Sequence, residues 1–183
     1  SSVAVNRPIS FVLASTAHGP MIVDRFDFAT ALNGGTYGVG NQLLSPGTYD
    51  PEEIALTIEW LRKLRSERGD GIVALDVGAN VGVHTLSWAR EMTGWGRVIA
   101  FEPQDRIFYA LAGNVALANA FNALVRHAAV GAESGTIRIP KVDYSRPSSY
   151  GSLELRYDRD AEFIGQNVSY LPKDLVEVPL VAI

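Results

Sequence analysis

Two acidic side chains stand where apolar segments of the chain end. Asp76 lies in the apolar run 72–77, and Glu102 directly follows the apolar run 97–101. In parallel sheets, ligands bind beyond the carboxyl ends of the strands. If the two runs are neighbouring parallel strands, both carboxyl groups lie at that end of the sheet. We therefore predict a small-molecule site there.

The loop after the first run fits a ligand without phosphate better than a dinucleotide. The dinucleotide fingerprint needs glycine at its first, third and sixth positions. Counting from Gly78, the third residue is Asn80 and the sixth is Val83. S-adenosylmethionine has no phosphate and carries an ammonium and a sulfonium, which suit a carboxylate such as Asp76. Its carboxylate suits the backbone N–H groups of the loop and of the helix start.

Glu102 follows Asp76 by 26 residues (102 − 76), at the end of the second apolar run. A carboxylate in this place can accept hydrogen bonds from both ribose hydroxyls of a nucleoside. It would repel a 2′-phosphate, so NADP is not expected. His84, on the first turn after the loop, is a candidate contact to the cofactor carboxylate or to a substrate.

Strand-like and helix-like segments alternate through the centre of the chain. We predict strands over 72–77, 97–101 and 124–130, and helices over 84–92 and 104–120. The first strand is a continuous apolar run, which is typical of a strand covered on both faces. Alternating strands and helices with short connections predict an α/β fold whose parallel sheet has right-handed crossovers and flanking helices.

The segment before this alternation has a different character. A β-hairpin is predicted from strands 9–14 and 21–24, and the glycine-rich stretch 34–40 is predicted to be too flexible for a regular element. We therefore treat 1–49 as an N-terminal hairpin and glycine-rich loop, and 50–183 as the cofactor-binding domain.

A helix is predicted to begin at Asp50 and to reach about Arg65. Asp50 can accept from the exposed N–H groups of the helix start, and Pro51 suits the first helical position. Glu53 stands where the acid of a capping box belongs.

Beyond Gly131 the helical pattern stops. Strands are predicted over 136–139 and 153–157, and the apolar stretch 178–183 follows. Three parallel strands would leave an exposed apolar edge, so the sheet is expected to be incomplete at its C-terminal side.

The central motifs resemble the FkbM family of S-adenosylmethionine-dependent methyltransferases. The stretch 76–85 reads DVGANVGVHT and 100–103 reads AFEP, and the resemblance runs from about Gly47 to Gly131. It implies the Rossmann-like class I methyltransferase fold, and the family's next motif, an I-D-x-E-G-like strand end, does not follow before residue 183. It also implies S-adenosylmethionine as cofactor and methyl transfer to a hydroxyl of a sugar, glycan or other small molecule. The predicted cofactor-binding residues are Asp76, Gly78, Ala79, Asn80, Gly82, His84, Thr85, Glu102 and Pro103.

Two other functions stay open at this point. One is a nicotinamide-dependent oxidoreductase, against which the loop sequence and the lack of a Tyr-x-x-x-Lys pair both count. The other is a non-catalytic module that binds the cofactor without transferring its methyl group. A hydroxyl acceptor needs its proton removed by a base. The sequence marks no residue for that role, so no catalytic base is assigned.

Composition bears on metal sites, nucleic-acid partners and membrane association. The chain has no cysteine and three histidines, and no two histidines and an acid show metal-ligand spacing, so no metal site is predicted. A net charge of −4 without a block of like charges argues against a nucleic-acid partner. No apolar run approaches the about 18 residues of a membrane span, and no signal peptide is visible. A cytoplasmic location is expected.

Overall fold

The structure, a computed structural model, describes residues 8–31, 34–157 and 163–183. Parts of both predicted domains, residues 1–7, 32–33 and 158–162, lie outside the described residues. The described strands are β1 (Phe11–Thr16), β2 (Gly19–Asp24), β3 (Ala29–Thr30), β4 (Thr36–Tyr37), β5 (Ile72–Val77), β6 (Gly96–Phe101), β7 (Ala123–Arg126), β8 (Ala129–Gly131), β9 (Gly135–Pro140) and β10 (Leu175–Ala182). The α-helices are α1 (Val39–Leu44), α2 (Pro51–Arg68), α3 (Val83–Glu91) and α4 (Asp105–Leu117).

A parallel sheet of order β5-β6-β7 forms the centre of the fold. Its register places Asp76 opposite Ala100, and Phe101 opposite Arg126. Helix α3 connects β5 to β6, and α4 connects β6 to β7. The predicted α/β class is confirmed, with a parallel sheet, flanking helices and an N-terminal antiparallel hairpin of β1 and β2.

Strand β5 is covered on one face rather than two. Ala74 and Asp76 are buried beneath the helices, whereas Val73, Leu75 and Val77 are 40%, 42% and 53% exposed. The prediction of a doubly covered strand is therefore wrong. A continuous apolar run indicates which residues can be buried, but the packing of neighbouring elements determines which of them are buried.

One hydrophobic cluster connects the hairpin, the helices and the loop after β5. Its buried members are Met21, Val23, Val39, Leu43, Ile54, Val81, Val83, Leu86, Ile107, Ala110 and Tyr150. The fully buried amide of Asn114 adds polar links. It accepts from the N–H of Ile22 at 2.6 Å and donates to the carbonyl oxygens of Ile22 and Val81 at 3.0 and 2.8 Å. The hairpin therefore supports the candidate site through α4.

The N-terminal segment differs from the sequence prediction in two respects. The glycine-rich stretch 34–40 contains β4 and the start of α1, so it is more regular than expected. A Cβ on Gly38 would lie 2.5 Å from the carbonyl oxygen of Asp27, so glycine here allows two backbone segments to pack closely. At α2, Asp50 adopts φ 34° and its side chain caps no N–H group, so the predicted capping box does not form.

The C-terminal strands form a second sheet of order β8-β10-β9. The strand predicted over 124–130 is divided, because β7 and β8 belong to different sheets and His127 and Ala128 lie between them. The stretch 153–157 is not a strand and follows a 3-10 turn at Tyr150–Ser152. Within the described residues, no helix has the length and apolarity that crossing a bilayer requires.

Candidate cofactor site

A cavity of about 520 Å³ opens at the carboxyl end of β5. Five of the nine predicted cofactor residues line it, namely Asp76, Gly78, Ala79, Asn80 and His84. The remaining lining residues come from β5 and the loop after it, α1, the segment just before α2, the first two turns of α2, α3 and the 3-10 turn. They are Val39, Tyr49, Glu53, Thr57, Leu75, Val77, Val81, Val83, Trp88 and Gly151. The structure therefore brings the loop and α3 side of the predicted site together.

The other four predicted residues lie behind or beside this cavity. Thr85 and Glu102 are 0% and 3% exposed and do not line it. Gly82 packs against α4, where a Cβ would meet the Leu111 side chain, so its role is close helix packing. Pro103 lines a neighbouring cavity of about 520 Å³ at the start of α4.

Asp76 is bound to the first turn of α3. Its carboxylate accepts a hydrogen bond from the Thr85 hydroxyl at 2.5 Å. Burial raises the pKa of the Asp76 carboxyl, and the Thr85 hydrogen bonds and the nearby His84 oppose this rise. Asp76 thus holds the end of β5 to the start of α3, and its lining position leaves it in contact with the cavity.

Glu102 holds the backbone on both sides of the site. One carboxylate oxygen accepts from the N–H of Asn80 at 2.9 Å, and the other accepts from the N–H of Gln104 at 2.8 Å. Burial raises the pKa of Glu102 to about 7. The two hydrogen bonds oppose this rise, and the negative charge of the nearby Asp76 adds to it. A carboxylate has about four acceptor positions, so Glu102 keeps the capacity to accept from ribose hydroxyls. It can do so only if the residues that bury it move.

The backbone N–H groups of the loop are already paired within the protein. The N–H groups of Gly78 and Ala79 both donate to the carbonyl oxygen of Phe101, and that of Gly82 donates to Ala79. Asn80 donates to Glu102 as described, and its own side chain accepts from Val81. The expected loop contact to a ligand carboxylate is therefore not available from these groups.

The side of the cavity between α2 and α3 contains an acidic residue, Glu53, that the sequence marked only as a helix cap. Glu53 lies in the first turn of α2, and its carboxylate oxygen is 3.7 Å from Nε2 of His84. The His84 ring lies beside the rings of Tyr49 and Trp88, with centroid distances of 6.5 and 5.4 Å. From its place in the sequence, Glu53 was expected to cap α2. Its location in the cavity wall follows from the packing of α2 against α3, which the sequence pattern does not show.

The charge of the cavity wall favours cationic or neutral ligands. Glu53 and Asp76 line it, and its described lining contains no lysine or arginine. Phosphate groups are usually bound by such cations or by free backbone N–H groups, and the loop offers neither. Across the described residues, no three histidine or acidic side chains are grouped to hold a metal ion.

Comparison of the chain with family models, curated proteins and solved structures gave no match. The resemblance to FkbM methyltransferases thus stays a prediction from the motifs.

Proposed function

We propose that this chain is an S-adenosylmethionine-dependent methyltransferase of the FkbM type. Its acceptor would be a hydroxyl of a sugar, a glycan or another small molecule. The observation that carries the proposal is the cavity at the carboxyl end of β5, where the turn of the DVGANVG motif meets a wall whose described residues include two carboxylates and no lysine or arginine.

The cavity charge supports S-adenosylmethionine over a nicotinamide dinucleotide. The cofactor carries a sulfonium and an ammonium, which two carboxylates attract. A dinucleotide would place its pyrophosphate against the loop, whose N–H groups at Gly78, Ala79 and Asn80 already have acceptors. The same wall would repel a phosphorylated acceptor, so an uncharged acceptor such as a polyol fits better.

The chemistry asks mainly for alignment of the reactants. The sulfonium methyl group is already activated, so the protein must hold acceptor oxygen, methyl carbon and sulfur in line. A Rossmann-like class I methyltransferase fold would supply the cofactor half of that arrangement from the sheet β5-β6-β7. The cytoplasmic location belongs to the same proposal.

Calorimetric titration with S-adenosylhomocysteine, with NADH as the control ligand, tests the proposal. We expect S-adenosylhomocysteine to bind and NADH not to bind. Binding of NADH alone would favour the oxidoreductase alternative. A folded chain that binds neither compound would contradict the proposed function.

A further inference from the structure

Glu53 and His84 face each other in the cavity without forming a hydrogen bond. Their closest atoms, a Glu53 carboxylate oxygen and His84 Nε2, are 3.7 Å apart, which is longer than a hydrogen bond of 2.7–3.2 Å. Nε2 is buried and has no hydrogen-bond partner within the described structure. Both residues line the cavity.

Within the described residues, neither the Glu53 nor the His84 side chain forms a hydrogen bond. Glu53 does not cap α2, since that helix start has no side-chain cap, and its side chain is 61% exposed. His84 is held between the rings of Tyr49 and Trp88, at 6.5 and 5.4 Å between centroids. A buried polar atom without a partner is costly, so a ligand atom that pairs with Nε2 would remove that cost.

Hydrogen bonds hold together the elements that surround these two groups. The indole N–H of Trp88 donates to the Thr57 hydroxyl at 2.9 Å, which links α3 to α2 beside the pair. Asp76 is the other carboxylate of the cavity, and its Thr85 hydrogen bond ties it to the start of α3. The α2–α3 side of the cavity therefore holds one exposed carboxylate and one buried imidazole nitrogen, which a ligand atom reaches only if the residues that cover Nε2 move.

A ligand with a single charge can pair with either the Glu53 carboxylate or Nε2 of His84, but not with both. An anion that bonded to Nε2 would be repelled by Glu53 and Asp76, and a cation that paired with Glu53 would leave Nε2 alone. An α-amino-acid group carries an ammonium and a carboxylate two bonds apart and can satisfy both. Its ammonium donates to the carboxylate, and its carboxylate accepts from an imidazole N–H, with the ring proton on Nε2.

We infer that Glu53 and His84 bind the α-amino-acid end of the ligand, with Glu53 taking the ammonium and His84 the carboxylate. The inference rests on the proposed function, because S-adenosylmethionine carries such an end. It assigns the ammonium to Glu53 instead of Asp76, whose carboxylate joins β5 to α3. It also replaces the loop N–H groups, which are paired within the protein, by His84 as the partner of the ligand carboxylate.

The experiment compares two ligands that differ only at this end. S-adenosylhomocysteine has the amino-acid group, and 5′-methylthioadenosine lacks it. Calorimetry on the full chain would use the wild type, Glu53→Gln, His84→Phe and the double variant. Glu52→Gln is the matched control, because Glu52 occupies the same exposed helical turn and does not line the cavity.

We expect Glu53→Gln and His84→Phe each to weaken S-adenosylhomocysteine binding about tenfold, the usual scale for losing one hydrogen bond to a charged group. Binding of 5′-methylthioadenosine should change less than twofold, and Glu52→Gln should change neither ligand. The double variant should lose less than the product of the two single losses, because both residues hold one group.

Three outcomes would overturn the inference. Glu53→Gln with unchanged S-adenosylhomocysteine affinity would remove Glu53 from the site while leaving the proposed function intact. Equal weakening of both ligands would show a general electrostatic or structural effect. If the wild type is folded and binds neither ligand, the proposed function itself fails, and the inference fails with it. Circular dichroism of each variant confirms that the fold is kept.

Discussion

The carboxylate of Glu102 accepts the backbone N–H of Asn80 at 2.9 Å, so the end of β6 fixes the loop that follows β5. Asn80 has a positive φ of 50°, a conformation that asparagine tolerates better than most residues. A second oxygen of Glu102 holds Gln104 at the start of α4. One buried carboxylate thus sets the backbone on two sides of the cavity edge.

Replacing Glu102 should therefore destabilise the protein before any ligand is added. In Glu102→Ala, the part-buried N–H of Asn80 and the buried N–H of Gln104 lose their acceptor. We expect the free energy of unfolding to fall by about 1–3 kcal/mol, measured by urea denaturation. Glu52→Ala, on an exposed helical turn, should change it far less. Equal stability of the Glu102 and Glu52 variants would contradict the structural role.

The stability of the protein should fall as pH rises from about 4.5 to 7. Burial raises the pKa of Glu102 from 4.5 to about 7 and those of Asp24 and Asp27 from 3.8 to about 6. At these three carboxyl groups the folded state then binds more protons than the unfolded state, so raising the pH favours unfolding. Burial lowers the pKa of His18, and this single group acts in the opposite direction. The stabilisation is complete below the unfolded pKa and is lost as pH passes the folded pKa.

Glu102→Gln isolates the Glu102 part of this pH dependence. Its amide cannot ionise, so the slope of unfolding free energy against pH should be shallower than in the wild type between pH 5 and 7. Urea titrations at half-unit pH steps measure both slopes. Identical slopes would show that the pKa of Glu102 is not raised in the folded protein.

The conformation of Gly78 gives a second stability test. Its φ is 76°, and a Cβ there would meet no atom within 4 Å, so a side chain would be strained by backbone conformation alone. We expect Gly78→Val to lower the free energy of unfolding by about 1–3 kcal/mol. Gly135 also has open space but lies in β9 without a positive φ, so Gly135→Val is the matched control. If both valine variants are equally stable, strain at Gly78 is excluded.

The Thr85 hydroxyl should matter most while Asp76 is charged. Thr85→Val removes the donor to Asp76 and keeps the shape of the side chain, so stability at pH 7 should fall by about 1–3 kcal/mol. The loss should shrink near pH 4, where a raised pKa leaves more of Asp76 neutral. Thr93→Val, whose hydroxyl donates to a backbone carbonyl, serves as the comparison without that pH effect. If the loss of stability in Thr85→Val does not depend on pH, the Thr85 hydroxyl does not act through the charge of Asp76.

The sequence was sufficient to predict the helices and strands whose hydrophobic pattern and end residues are local. The strands β5 and β6 and the helices α3 and α4 follow apolar periodicity with glycine and proline at their ends, and they lie close to the predicted ranges. The strand predicted over 124–130 was wrong as one unit, because the change of sheet at His127 depends on the partner strands. Apolarity along one segment does not determine which sheet it joins.

The candidate site was predicted in part for the same reason. Asp76, Asn80 and His84 are close in sequence, and the structure places all three at one cavity. Glu53 is distant in sequence, and its position three residues after Asp50 predicted the acid of a capping box, which does not form. Its approach to His84 arises from the packing of α2 on α3, which no local pattern encodes.

Cofactor binding at the end of β5 is tested most directly by a titration of ¹⁵N-labelled protein with S-adenosylhomocysteine, followed through the backbone amide shifts. We expect saturable shift changes that include Gly78, Ala79, Asn80 and His84, which are among the residues that line the cavity at the end of β5. Unchanged shifts at these four residues with saturating ligand, or changes confined to the neighbouring cavity beside Tyr109 and Lys141, would contradict it.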